Sequence, residues 1–306
     1  MASAYIGKQI FVSSFVMNSI TTPESLYLRT LAQRISTPYV QLPTAQAAML
    51  FGSAAEGLSD RYSDIDMAIY YAALPPEEAL TLARQQNGGS ERLWLLGDPQ
   101  SGSFIEAYAV KGVECQIVHT TVADWEQNID TVLRELDVET PLQKALEGLL
   151  QGIPLYGTAL IERWKATVTA YPDALAQKMV EHYLRFAPLW LLQERIAGRD
   201  ATIWRTQMFV ESGHHLLAVL AGLNRVYFSA FQFKRMQHFA ERLALKPSNF
   251  AARLENCFTQ EPRAAISELT LLISETVSLV EQHMPTVDTS RLRARLQQQQ
   301  TPWTMD

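Results

Sequence analysis

Two apolar runs, with a glycine-serine turn and a pair of acids between them, constrain this chain more than anything else in it. Ala45 to Phe51 is mostly apolar and leads into Gly52-Ser53; eleven residues after Ser53 comes Asp64, then Asp66, and Met67 to Tyr71 is apolar again. The order reads as a strand, a turn, a short helix and a second strand that carries the acids. Alternate side chains of a strand share a face, so Asp64 and Asp66 point one way while Ile65 points into the core. Carboxylates that close repel one another unless a cation lies between them. Magnesium suits the position, since one or two carboxylates, waters and substrate phosphates commonly hold it. Gly52 lets the backbone come close to a phosphate. Ser53 offers a hydroxyl where a helix begins, and free N–H groups there favour an anion. Gly57 allows a tight bend before the second strand.

The stretch Gly-Ser-Ala-Ala-Glu-Gly-Leu-Ser-Asp-Arg-Tyr-Ser-Asp-Ile-Asp at residues 52–66 resembles the nucleotidyltransferase signature of the DNA polymerase β-like superfamily: Gly-Ser, a spacer with a glycine, then Asp-x-Asp in a strand. It looks most like the small-molecule branch, alongside aminoglycoside and lincosamide adenylyltransferases. Glu56 departs from that pattern, because relatives often carry a basic residue there. Gly-Ser alone is an ordinary turn and Asp-x-Asp alone an ordinary strand end; together, at this spacing and between apolar runs, they are much rarer.

The resemblance implies a third carboxylate on a neighbouring strand. Residues 113–118, Val-Glu-Cys-Gln-Ile-Val, alternate with period two, so Glu114 and Gln116 share one face and Val113, Cys115 and Ile117 the other. Glu114 is the acid of that run; the plain alternative is a wet edge strand. The resemblance further implies two magnesium ions on Asp64, Asp66 and Glu114, with Glu114 ligating a metal, accepting the acceptor's proton, or both. A nucleoside triphosphate, ATP by family habit, would pass its monophosphate to a hydroxyl of a small molecule such as an antibiotic, and pyrophosphate would leave. Gly52, Ser53, Ser63 (beside Asp64) and Lys234 are the nucleotide-binding candidates. The other class of reading is a regulatory nucleotide-binding module, or a transferase that modifies a protein.

Composition narrows the setting. A length of 306 residues suits two domains, and 47% hydrophobic residues is enough for a real core. The net charge of −6 argues against a dedicated nucleic-acid binder, and an acidic cleft would suit a cationic acceptor. No apolar run approaches a membrane span, and the first thirty residues lack the order of a secretory leader. Cys115 and Cys257 lie far apart, as expected of reduced, buried thiols in a cytoplasmic protein. A homodimer is left open.

The expected fold class is α+β: a small mixed sheet with flanking helices (the nucleotidyltransferase fold) at residues 1–140, then an all-α helical-bundle domain at residues 141–306. A first helix is expected over 22–35, capped by Thr22 with Pro23 at its first position; strands over 45–51, 65–71 and 113–119; strand-like pieces within 92–110; helices from about Val122 onward. In 264–283, Ile266, Leu269, Ile273, Val277 and Val280 form one apolar stripe. Residues 173–196 read as a helix kinked at Pro188, and 203–223 as a helix weakened at Gly213. Segments 152–157 and 221–227 resemble bacterial nucleotidyltransferase-like proteins whose C-terminal helical domain is uncharacterised. Lys234 and Arg235 follow an aromatic run, where a base on a helix facing the cleft would hold the triphosphate tail; ordinary surface charge is the competing reading. Glu211 is a candidate base in the helical half. His214 and His215, adjacent and about 100° apart on a helix, read as structural. Trp303 is expected to pin the C-terminal tail.

Overall fold

The protein is described by a computed structural model that covers residues 21–99 and 101–305. The expectation of no leader falls largely on residues 1–20, outside the described residues. The chain runs α1 (Pro23–Val40), β1 (Ala45–Phe51), α2 (Gly52–Glu56), β2 (Ile65–Tyr71), α3 (Glu77–Gln86), β3 (Trp94–Asp98), β4 (Ser103–Val110), β5 (Val113–Thr121), α4 (Val122–Leu133), α5 (Leu142–Gln151) and β6 (Ile153–Tyr156). It continues through α6 (Thr158–Thr169), α7 (Asp173–Tyr183), α8 (Leu189–Ala197), α9 (Thr202–Asn224), α10 (Met236–Glu241), α11 (Phe250–Asn256), α12 (Pro262–His283) and α13 (Ser290–Leu296). Among the described residues no helix is long and apolar enough to cross a membrane.

The strands make one six-stranded sheet in the order β3-β4-β5-β2-β1-β6, and only β2 and β5 run parallel. Its two faces bury different helices. Ile65, Met67, Ile69, Cys115 and Ile117 join Leu28, Leu31, Ile35 and Leu80 of α1 and α3 in one core. Ala47, Met49, Ala68 and Tyr70 join the helices from α4 onward in the other. The acids of β2 and β5 lie on that second face, at the end of the sheet beside the β1–α2 turn. Period two thus sorts both strands as the sequence predicts, with Cys115 and Ile117 fully buried.

The first core also encloses charge. Glu106 of β4 is fully buried and accepts from Arg84 at 2.6 Å, Arg92 at 3.1 Å and His119 Nε2 at 3.3 Å. The Tyr71 hydroxyl meets the other His119 nitrogen at 3.1 Å, and the Tyr39 and Tyr108 hydroxyls meet at 3.0 Å. Burial pushes the Glu106 carboxyl up, but the His119 hydrogen bond and the two arginines hold it down to about 2. This network ties α3 and the β3–β4 edge to the centre of the sheet.

Several boundaries differ from expectation. α1 runs on to Val40, with Thr22 capping as predicted: its hydroxyl accepts from the Ser25 N–H at 3.1 Å. β6 pairs antiparallel with β1, so the sheet takes its sixth strand from beyond residue 140. Four residues are too few to show a period, and Pro154 fits an edge strand that owes its neighbour few N–H bonds. The helix expected over 173–196 is broken rather than kinked, α7 ending at Tyr183 and α8 starting after Pro188, whose ring cannot continue a helix from the preceding turn. α9 spans its segment despite two glycines: a Cβ on Gly222 would stand 3.0 Å from the Ala176 carbonyl and Met179, so glycine there lets α9 press against α7. The tail is not pinned by its tryptophan, since Trp303 is 81% exposed. The indole that docks the C-terminal segment is Trp190, which donates to the Arg295 carbonyl at 2.9 Å.

Candidate active site

The site is built where β1 ends and β2 begins. Gly52 opens α2 at a φ of +66°, and a Cβ there would lie 2.2 Å from Asp66 Oδ2. The backbone therefore comes close to the Asp66 carboxylate itself, a second use of the glycine that the sequence reading assigned to a phosphate. α2 is five residues long and closes on Gly57 at φ +81°. Its carbonyl end is capped from α1: Arg29 donates to the Ala54 and Ala55 carbonyls, both at 2.8 Å. The turn that follows is fixed by α1 as well, because the Ser25 hydroxyl accepts from Ser59 N–H at 2.9 Å and Thr22 donates to the Ser59 carbonyl at 2.8 Å. Ser53 Oγ meets Ser59 Oγ at 3.1 Å. Ser63 Oγ donates to Asp60 Oδ1 at 3.1 Å and accepts from Asp60 N–H at 3.0 Å, closing the turn that presents Asp64.

Across the sheet, Asp66 lies between Phe51 of β1 and Gln116 of β5. Gln116 Nε2 donates to Asp64 Oδ2 at 2.9 Å and to Glu114 Oε1 at 3.2 Å. Trp94 on β3 donates its indole N–H to the same Glu114 oxygen at 3.1 Å. The structure thus brings Asp64, Asp66 and Glu114 to one patch. Burial first, and then the neighbouring Asp64, push the Asp66 carboxyl up to about 7; Lys144 and Lys234 pull against that rise. Among the described residues nothing hydrogen-bonds the Asp66 carboxylate.

Two lysines supply the opposite charge. Lys144, in the first turn of α5, lies within electrostatic reach of Asp66, Asp64 and Lys234, and burial is the main cause that lowers its pKa. Its ammonium donates to Gln232 Oε1 at 3.4 Å and sits 5.3 Å from the centre of the Phe231 ring. Lys234 also acts on Asp66, but from a loop between α9 and α10, not from a helix. That loop is held to the motif at its far end: Arg235 donates to the Leu58 carbonyl at 2.7 Å, and His238 lies 3.7 Å from Glu56. Burial chiefly raises the Glu56 pKa. The patch is therefore mixed in sign, with two lysines acting on the carboxylates. Sequence reasoning missed Lys144, which no motif marks: it lies about eighty residues from Asp64 in the chain.

Other polar and aromatic residues lie elsewhere. Arg61 and Tyr62 are exposed on the turn, Tyr62 almost completely. Glu211, His214 and His215 line a cavity of about 440 Å³ in the helical half with Tyr183; His215 Nδ1 donates to the Arg185 carbonyl at 2.6 Å. Trp125 and Trp164 pack against Tyr70 in the core.

The donor set fits magnesium in kind: the carboxylates of Asp64, just before β2, and Asp66, within it, are hard oxygen ligands, and among the described residues nothing hydrogen-bonds the Asp66 carboxylate. Among the described residues no three Asp, Glu, His or Cys side chains gather as ligands around one ion. Asp64 and Asp66 are the side chains that could hold such an ion, with substrate phosphates and water as its further ligands.

Residues 29–98 match the family described as nucleotidyltransferase domain. The match runs from α1 to the end of β3 and takes in the whole Gly52–Asp66 motif. This part of the chain is similar to nucleotidyltransferase domains; Glu114, Gln116, Lys144 and Lys234 lie outside the matched segment. Among solved structures, a nucleotidyltransferase-like protein from Exiguobacterium sibiricum is similar, at 12% identity over 92% of this chain and 82% of that one, with a TM-score of 0.40. A likeness of that size settles neither substrate nor site. No curated protein matches the chain.

Proposed function

We propose that the protein transfers a nucleoside monophosphate from a nucleoside triphosphate, ATP foremost, to a hydroxyl of a small-molecule acceptor, releasing pyrophosphate. The observation that carries the proposal is Asp66 at the start of β2 against Gly52, with Asp64 two residues before it and Lys144 and Lys234 acting on Asp66 from the helical half. Asp64 and Asp66 would hold magnesium, which would offset charge on the leaving pyrophosphate and acidify the acceptor hydroxyl. The chain's own residues do the rest. Lys144 and Lys234 receive the triphosphate tail, placed to meet the charge that builds on the leaving group. The acceptor oxygen forms a bond to the α-phosphorus while the bond from that phosphorus to the β-bridging oxygen breaks. The electron pair leaves with pyrophosphate, and the hydroxyl proton passes to the Glu114 carboxylate. Most of the rate then comes from holding the reactants in line.

In this reading residues 1–140 form the catalytic unit and 141–306 the helical unit, which lends β6 to the sheet and the lysines to the site. A cytoplasmic setting with both thiols reduced belongs to the same reading. The test is thermal denaturation with each of the four nucleoside triphosphates, with and without magnesium, beside Asp64→Asn. A magnesium-dependent rise for one nucleotide, absent in the variant, is the expected result. No rise with any nucleotide would reject a working donor site and favour a regulatory module.

A further inference from the structure

We infer that β3 is a pairing edge for a second copy of this chain, joined antiparallel about a two-fold axis at Leu95, so that two six-stranded sheets run on as one. The dimer goes beyond the transferase reading and holds or fails whatever the reaction is.

The two edges of the sheet differ. β6 is four residues long and carries Pro154, and both features discourage further pairing. β3 has no such guard. All five of its residues are exposed, and among the described residues no strand lies on its outer side. Leu93, Trp94, Leu95 and Leu96 follow one another at 55, 37, 40 and 63% exposure, with no proline or charge among them. An apolar edge of this kind is a template for another strand.

Alternation and charge select the occupant. Trp94 lies opposite Ala107, Ala107 opposite Gln116, and Gln116 opposite Asp66, so Trp94 ends a row of side chains on the carboxylate face. Leu95 lies opposite Glu106, on the other face. A two-fold axis normal to the sheet keeps the faces continuous only where a residue meets its own copy. With the axis at Leu95, Leu95 meets Leu95, Trp94 meets Leu96, Leu93 meets Gly97 and Arg92 meets Asp98. Every apolar residue then faces an apolar one or a glycine, and unlike charges face each other at both ends. Gly97, at a φ of +88°, ends the straight run and sets no side chain against the partner's Leu93. An axis at Trp94 would put Arg92 against Leu96, and one at Leu96 would put Trp94 against Asp98. This match of the segment with its own reverse is what a second copy uses, and a different protein would have no use for it. Eight large apolar side chains and the paired backbone come near the lower size of a specific interface, about 1,000 Å² in total, which suits a dimer of micromolar strength.

The test is sedimentation equilibrium of the full chain over a range of concentrations. The wild type is expected to pass from monomer to dimer in the micromolar range. Leu95→Glu sets two carboxylates against each other at the axis and should weaken the dimer about tenfold or more, with the far-ultraviolet circular dichroism of the wild type. Leu95→Cys should be linked into dimers by a short bismaleimide, since Cys115 and Cys257 are buried. Leu271→Cys, at least as exposed but on α12, should not. A wild-type chain still monomeric at about 100 μM would overturn the inference, because a contact that weak lies below specific pairing. So would a dimer that Leu95→Glu leaves intact and Leu95→Cys fails to link, which would put the interface on another surface. Oligomers that grow past the dimer with concentration would also overturn it, since a two-fold contact closes on itself.

Discussion

Asp66→Asn should make the protein more stable and less able to bind metal, and the gain should depend on pH. The Asp66 carboxyl is pushed from its usual 3.8 to about 7, by burial first and then by Asp64. A carboxyl whose pKa is higher in the fold than in the unfolded chain holds its proton more tightly when folded. Its contribution is fully present below about pH 4 and is lost as pH rises through about 7. A gap of about 3 pH units corresponds to a ceiling of about 4 kcal/mol. Asp66 is half-buried, and solvent screening brings the expected cost nearer about 2 kcal/mol at pH 8. An amide carries no charge to bury, so Asp66→Asn should gain that amount there, a rise of about 4 °C in melting temperature. At pH 5 the folded wild type keeps its proton, and the gain should fall below about 1 kcal/mol. Magnesium with nucleotide should reverse the order, stabilising the wild type alone. The assay is calorimetric melting of both proteins at the two pH values. A variant that melts below the wild type at pH 8, or differs equally at both pH values, would refute the electrostatic account of Asp66.

Other predictions follow from neighbouring geometry. Gly52→Ala places a Cβ 2.2 Å from Asp66 Oδ2 at a φ of +66°, so it should displace that carboxylate and weaken Mn2+ binding at least as much as Asp64→Asn, as read by spin resonance. Lys144→Met should weaken nucleoside triphosphate binding about tenfold without changing the Mn2+ count, as titration calorimetry would show. Glu106→Gln leaves two arginines with a lost charge partner in a dry core and should cost about 3 kcal/mol or more in a denaturant titration. Because Glu106 is held down to about 2, the wild type should lose this stability as pH falls from about 5 toward 2, a loss absent in the variant.

Much of this molecule is legible along the chain because its periods are local. The stripe Ile266, Leu269, Ile273, Val277 and Val280 is fully buried, as a spacing of three and four requires. β1 and β2 span the residues their apolar runs mark, and Asp66 faces away from the buried Ile65 and Met67 because side chains in any strand alternate. The Thr22 cap was equally readable, since the bond it makes is three residues long. What the chain order could not show is everything that joins distant segments. Glu114 and Gln116 are equivalent under alternation; the parallel register with β2, set by packing across about fifty residues, puts the amide and not the acid beside Asp66. Lys144 and Lys234 sit in segments with no motif and reach the carboxylates through the docking of α5 and the α9–α10 loop. β6 and the Glu106 network are likewise made of residues whose partners lie far away in sequence. Local periodicity decides which side of an element is dry; only long-range packing decides which charges then meet.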